Sequence, residues 1–127
     1  MNLLLDTCTL IWLASEPERL GAEAAAVIDD PASVLHQPRQ SVGDAVKHGA
    51  GKLSLPDSPR VWWGEQAGRS GLIELSLTTE ALLAGGELPA HHKDPFDRVV
   101  LAQAQIAGLR VVSPDGAFPA YGVPLIW

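Results

Sequence analysis

Short apolar runs alternate with amphipathic stretches along the chain, and that alternation predicts its elements. Asn2–Leu5 is an apolar run stopped by Asp6 and reads as a buried strand, and Thr7–Ser15, with Leu10, Trp12 and Leu13, reads as a short helix. Pro17 to Gly21 punctuates, alanine-rich Ala22–Ile28 reads as a helix, Asp29-Asp30-Pro31 stops it, and Ser33–His36 reads as a second strand. Pro56-Asp57-Ser58-Pro59 opens a helix reaching about Arg69, and Leu72–Leu77 alternates as a strand. Thr78 or Thr79 caps a helix over Glu80–Ala84, which Gly85-Gly86 ends. The clearest pattern starts at Asp94: an Asp cap, Pro95 at the first helical position, an apolar face of Val99, Leu101, Ala102 and Ile106, and Gly108 as the stop. Leu109–Ser113 then reads as a strand, Pro114–Tyr121 as a short helix or turn, and Val123–Trp127 as a last strand. Gln37–His48 resists reading because Pro38 and Gly43 weaken a helix, and Gly49-Ala50-Gly51 reads as a break. Strands alternating with helices predict an α/β fold around a mainly parallel sheet of four to five strands.

Composition narrows the class. A length of 127 residues predicts one domain, residues 1–127, and 46% hydrophobic with 19% charged residues is globular usage. Fifteen acids against nine bases leave a net charge of −6, which argues against a basic binder that tracks nucleic acid by neutralising phosphates. Nucleic acid stays open as a substrate if the acids are gathered around a metal. The single Cys8 excludes an internal disulfide framework and fits a reducing compartment. Met1–Ala14 lacks a basic opening and is interrupted by Asp6, and no run approaches the roughly 20 apolar residues of a membrane span. The expectation is a soluble, cytoplasmic protein.

The positions of the carboxylates carry the chemistry. Asp6 falls just past the first predicted strand, Asp115 just past the strand ending at Ser113, and Asp94 and Asp97 open the long helix. In a parallel α/β sheet, strand carboxyl ends and helix amino ends share one edge, where ligands bind. Each acid alone has a capping or turn reading, because Asp satisfies orphan N–H groups at a helix start. Together they would repel and raise one another's pKa, so such a cluster calls for a cation. An all-oxygen set suits Mg²⁺ or Mn²⁺ rather than zinc. Cys8 reads as a small core residue, His91-His92 as a solvated loop, Trp62-Trp63 as packing, and Arg98 as either a phosphate contact or an ion-pair partner. Gly49-Ala50-Gly51-Lys52 lacks the spacing of a phosphate-cradling loop.

Three ordered segments resemble a known family: Leu3-Leu4-Leu5-Asp6-Thr7; His92-Lys93-Asp94-Pro95-Phe96-Asp97-Arg98 followed by Leu101-Ala102-Gln103-Ala104; and Ser113-Pro114-Asp115 with Phe118 and Tyr121-Gly122-Val123-Pro124-Leu125-Ile126-Trp127. They resemble PIN-domain proteins, and more narrowly VapC-type toxins of type II toxin–antitoxin pairs. The resemblance implies a three-layer α/β/α fold and an endoribonuclease dependent on Mg²⁺ or Mn²⁺. It also implies a homodimer and a VapB-type antitoxin as partner. Carried over residue by residue, Asp6, Asp97 and Asp115 match family acids, and Asp94 is an extra acid of this motif subgroup. Thr7 and Arg98 are carried as substrate contacts.

One segment departs from the family pattern. Where relatives supply a further acid from a Ser-x-Trp-Glu-Ile-Ala-like helix start, this chain reads Gln37-Pro38-Arg39-Gln40-Ser41-Val42-Gly43-Asp44-Ala45. Asp44, three residues after Ser41 in capping-box spacing, is the available substitute. Loss of two bases after His36 and of one before Ala45 would turn a family-like stretch into this one. The departure leaves a second reading, a catalytically impaired PIN domain that binds an antitoxin. A third, an aspartyl-phosphate enzyme opening on Asp6-Thr7-Cys8-Thr9, has Cys8 where its second Asp belongs and shows no partner Lys.

Overall fold

A computed structural model describes residues 1–92 and 94–127; Lys93 of the motif lies outside the described residues. Five strands form one sheet: β1 (Asn2–Leu5), β2 (Val34–Pro38), β3 (Ile73–Leu75), β4 (Arg110–Val112) and β5 (Leu125–Ile126). Their order is β3-β2-β1-β4-β5, and every pairing is parallel. Six α-helices intervene: α1 (Thr7–Ser15), α2 (Ala22–Asp29), α3 (Val42–Lys52), α4 (Pro59–Ser70), α5 (Thr79–Glu87) and α6 (Pro95–Ala107).

Strand periodicity divides β1 between two cores. Leu3 and Leu5 face one side with Leu10 of α1, Ala24 of α2, Ala45 of α3 and Leu35 of β2, and Trp63 of α4 packs against them. Leu4 faces the other side with Val100, Leu101 and Ala104 of α6, Val111 and Phe118. The three leucines of β1 are fully buried, so the sheet is covered on both faces, as a parallel sheet requires. The result is the three-layer α/β/α arrangement with an all-parallel sheet.

The topology also locates a crevice. From β1 the sheet grows through β2 to β3 on one side, whereas β4 and β5 lie on the other side of β1. The carboxyl ends of β1 and β4 flank the point where strand order reverses, the place where such sheets bind ligands. Asp6 follows β1 directly, and its N–H donates to Val112 O of β4 at 3.3 Å.

The structure corrects three local expectations. Gln37–His48 is not irregular: β2 runs on to Pro38, a 3₁₀ turn spans Arg39–Ser41, and α3 continues without a break through Gly49-Ala50-Gly51. Likewise, α5 runs through Gly85-Gly86 to Glu87. At Gly49 a methyl group would overlap the ring of buried Trp62, and at Gly85 it would lie 2.9 Å from Val99 Cγ2. These glycines serve helix–helix approach, not chain reversal, and packing overrides propensity. Third, the strand expected over Leu72–Leu77 shortens to Ile73–Leu75 at the sheet edge. Elsewhere the expected caps form, Thr78 accepting from Ala81 N and Asp94 from Phe96 N, and Ser58 caps α4 by accepting from Val61 N.

Candidate metal centre

Asp6 combines two duties. Its Oδ1 accepts from Thr9 N at 2.9 Å, capping α1 as the local reading expects, and its Oδ2 accepts from the Ser113 hydroxyl. It is only 5% exposed, and burial raises its pKa, with the Ser113 and Thr9 hydrogen bonds opposing and nearby Asp115 adding to the rise. Ser113, at the end of β4, accepts in turn from Asp115 N at 3.1 Å, so one buried hydroxyl links the two acidic junctions.

Asp6, Asp97 and Asp115 line one groove with Thr7, Cys8, Ile11 and Pro114. Asp97 sits in the first turn of α6, and its pKa is pushed up to about 6. Burial is the largest cause, then the Asp94 charge; His92 opposes, and Asp6 and Asp115 add to the rise. Asp115 accepts from Ala117 N at 2.9 Å through Oδ1 and contacts His92 Nε2 at 2.6 Å through Oδ2. The same His92 nitrogen lies 3.1 Å from Asp97 Oδ2. Among the described residues, a ring nitrogen of His92 and a carboxylate oxygen each of Asp97 and Asp115 all lie within 4.8 Å of one another.

The other expected site residues fall around this centre. Asp94 is exposed at the rim, its Oδ1 spent on capping α6. Thr7 Oγ1 and Ser41 Oγ lie 2.7 Å apart, tying the start of α1 to the start of α3. Among the described residues, Arg98 has its Nε buried without a partner and makes no ion pair, and its Nη1 donates to His92 O at 3.4 Å. Asp44 is exposed and lines a different groove with Ile11, Lys47, His48 and Lys52, outside the acidic one. Its expected capping box does not form either, because Ser41 already has helical backbone angles and its hydroxyl is engaged with Thr7. Cys8 is half-buried at the groove, and burial pushes its thiol up to about 11, which keeps it protonated and a poor nucleophile.

His92 overturns the solvated-loop reading of His91-His92, and Ser113 gains a role that the sequence reading does not assign. Both could have been weighed from their positions, one beside the cap of α6 and the other at the end of β4. The partners of the histidine are carboxylates, not other His or Cys residues.

The donor chemistry fits a divalent cation. Two buried or half-buried carboxylates have raised pKa values, so their negative charge is undercompensated, and the oxygen-rich set matches hard ions.

A family model described as PIN domain matches residues 3–124. The chain belongs to the PIN-domain family. Solved structures agree in fold. Over 98% of this chain and 97% of the other, it is similar to a chain of VapBC2 from Rickettsia felis, bound to a DNA fragment from its promoter, with 11% identity and a TM-score of 0.69. FitAcB from Neisseria gonorrhoeae is similar over 97% of this chain and 95% of that one, with 20% identity and a TM-score of 0.61. A FitAB structure bound to an IR36 DNA fragment gives 19% identity and a TM-score of 0.61 over 97% of this chain and 92% of that one. No curated protein sequence matches the chain. Among the described residues, no helix of this PIN domain is long and apolar enough to cross a membrane.

Proposed function

We propose that this PIN domain, one unit over residues 1–127, is a cytoplasmic endoribonuclease toxin that hydrolyses RNA phosphodiester bonds with Mg²⁺ or Mn²⁺. The observation that carries this reading is the convergence of Asp6, Asp97 and Asp115 on one groove at the sheet's switch point. Asp97 and Asp115 would hold the ion, with Asp6 behind them and Asp94 at the rim. When bound, such an ion supplies an acidified water and neutralises charge on the phosphate. The chain's own part is to fix carboxylate positions, through the Thr9 and Ser113 bonds to Asp6 and the Ala117 bond to Asp115. Thr7 lines the groove, and the Arg98 guanidinium, which no acid among the described residues holds, would meet a phosphate. Attack by water needs no 2′-hydroxyl, so the products should lack cyclic phosphates.

Incubating purified chain with end-labelled RNA tests the reading. Cleavage should need Mg²⁺ or Mn²⁺, stop with a chelator, and vanish in Asp6→Asn. Cleavage that survives in folded Asp6→Asn and Asp97→Asn would refute the assignment.

A VapB-type antitoxin is proposed as partner, supported by the shared fold with chains of the VapBC2 and FitAB structures. Homodimerisation is supported by exposed apolar side chains on the packed pair α5 and α6, namely Leu82, Leu83 and Ile106. Light scattering should return twice the chain mass, and Leu83→Asp should shift it toward the monomer; a monomeric unaltered chain would sink the dimer.

A second reading, an impaired PIN domain retained for antitoxin binding, is favoured by the α3 segment. Asp44 stands outside the acidic groove, and Gln37 Oε1 is buried without a partner in the stretch that departs from the family. This reading expects a stable antitoxin complex without cleavage, and recovery of cleavage when a family-like segment with Trp-Glu, one residue longer, replaces residues 37–44.

A further inference from the structure

The groove contains one feature that a carboxylate set alone would not provide. The His92 ring stands between two acids from different elements, Asp97 at the start of α6 and Asp115 after β4. We propose that His92 is a positioning residue, whose ring, hydrogen-bonded to Asp115 and in close contact with Asp97, holds the two at the separation needed to share one divalent cation. The inference rests on the metal-dependent nuclease reading above.

The ring's own bonds define its role. His92 Nδ1 accepts from Asp94 N at 3.1 Å, so in the neutral ring the hydrogen resides on Nε2. That nitrogen then donates to Asp115 Oδ2 at 2.6 Å and lies 3.1 Å from Asp97 Oδ2. It has no lone pair to offer a metal. Two carboxylates this close repel, and an N–H dipole bonded to one and facing the other offsets the repulsion. Asp115 is already fixed on its other side by Ala117 N–H. Among the described residues Asp97 has no such anchor, and His92 Nε2 is the polar group that its carboxylate approaches most closely.

The loop that carries His92 is itself built. His92 N donates to Tyr121 Oη at 2.7 Å, and Tyr121 Oη donates to Pro89 O at 2.6 Å. Arg98 Nη1 donates to His92 O, and the ring lies 5.8 Å from that of fully buried Phe118. Backbone and ring are therefore held from three directions. A solvated loop histidine would need none of these contacts.

The test is Mn²⁺ titration by calorimetry at fixed pH, with pulsed electron paramagnetic resonance on the bound ion and circular dichroism to confirm folding. His92→Ala should weaken Mn²⁺ binding by about 10- to 100-fold, the usual cost of losing a residue that orients metal ligands. His92→Gln, which keeps an N–H donor at similar reach, should recover most of it. Tyr121→Phe leaves the ring in place but frees its backbone, and should weaken binding in the same direction by less; it carries the test if His92→Ala does not fold. Unchanged or tighter binding in His92→Ala and Tyr121→Phe overturns the inference. So does nitrogen coupling to bound Mn²⁺ that disappears with His92, because that would make His92 a ligand itself. If the unaltered chain binds no Mn²⁺, the metal reading falls and this inference with it; binding that the variants fully share sinks this inference alone.

Discussion

Asp97→Asn should abolish RNA cleavage and at the same time raise the melting temperature of the metal-free protein. Both effects follow from one carboxylate. The charge is needed to hold a cation at the groove, and losing a ligand should cost more than the roughly 10- to 100-fold typical of an outer-shell change. Without the cation the charge is a burden: burial foremost, then Asp94, pushes the Asp97 carboxyl from 3.8 up to about 6. A group whose folded pKa lies above its unfolded value binds more protons when folded, so stability falls as pH rises between the two values. The cost is absent below about pH 4 and complete above about pH 6, with a ceiling near 3 kcal/mol for about two units. Asp97 is 24% exposed, so solvent screening brings the expected gain in the variant down to about 1–2 kcal/mol. That corresponds to an upward shift of several degrees for a chain of this size. Melts followed by circular dichroism from pH 3.5 to 8 check the sign. The two proteins should melt together at the acid end, separate between about pH 4 and 6, and stay a constant interval apart above that. Added Mn²⁺ should then raise the unaltered protein's melting temperature but not the variant's. A gain independent of pH would show that charge is not its cause.

This conflict between stability and activity explains what sequence could and could not convey. The buried strand Asn2–Leu5, the Asp94 cap with Pro95, and the Gly108 stop were legible because each is a local signal: apolar run, capping oxygen, left-handed glycine. The edge on which Asp6, Asp97 and Asp115 meet was legible too, since strand-to-helix junctions in a parallel sheet share it. What stayed hidden depends on tertiary neighbours. His92 gains its role from Asp97 and Asp115, the latter 23 residues away, and Ser113 from the carboxylate of Asp6, 107 residues away. Asp44 fails for a related reason. The 3₁₀ turn over Arg39–Ser41 sets the phase of α3, and the Thr7–Ser41 contact holds it, so Asp44 points to the neighbouring groove.

Gly49→Ala should destabilise the fold, whereas Gly51→Ala, two residues on in the same helix, should stabilise it. Both positions gain the same intrinsic preference, about 1 kcal/mol for Ala over Gly within a helix. They differ in what a methyl group meets. At Gly51 nothing lies within 4 Å, so the preference is realised. At Gly49 the methyl would overlap Cη2 and Cζ3 of Trp62, whose indole is 7% exposed and lies 6.3 Å from the ring of Trp63. The ring cannot swing away without disturbing that pair, and overpacking of this kind costs typically 1–3 kcal/mol and occasionally more. A net loss of about 1–2 kcal/mol is expected, read as a lower urea midpoint at unchanged slope. If Gly49-Ala50-Gly51 were a chain break, both glycines would serve backbone freedom and both substitutions would destabilise. Opposite signs therefore separate a helix-packing glycine from a turn glycine. The consequence reaches the groove, because the α3–α4 spacing set at Gly49 fixes where α3 begins, and that start carries the Ser41 hydroxyl that meets Thr7. Gly49→Ala should accordingly weaken cleavage in the folded fraction, and Gly51→Ala should leave it unchanged.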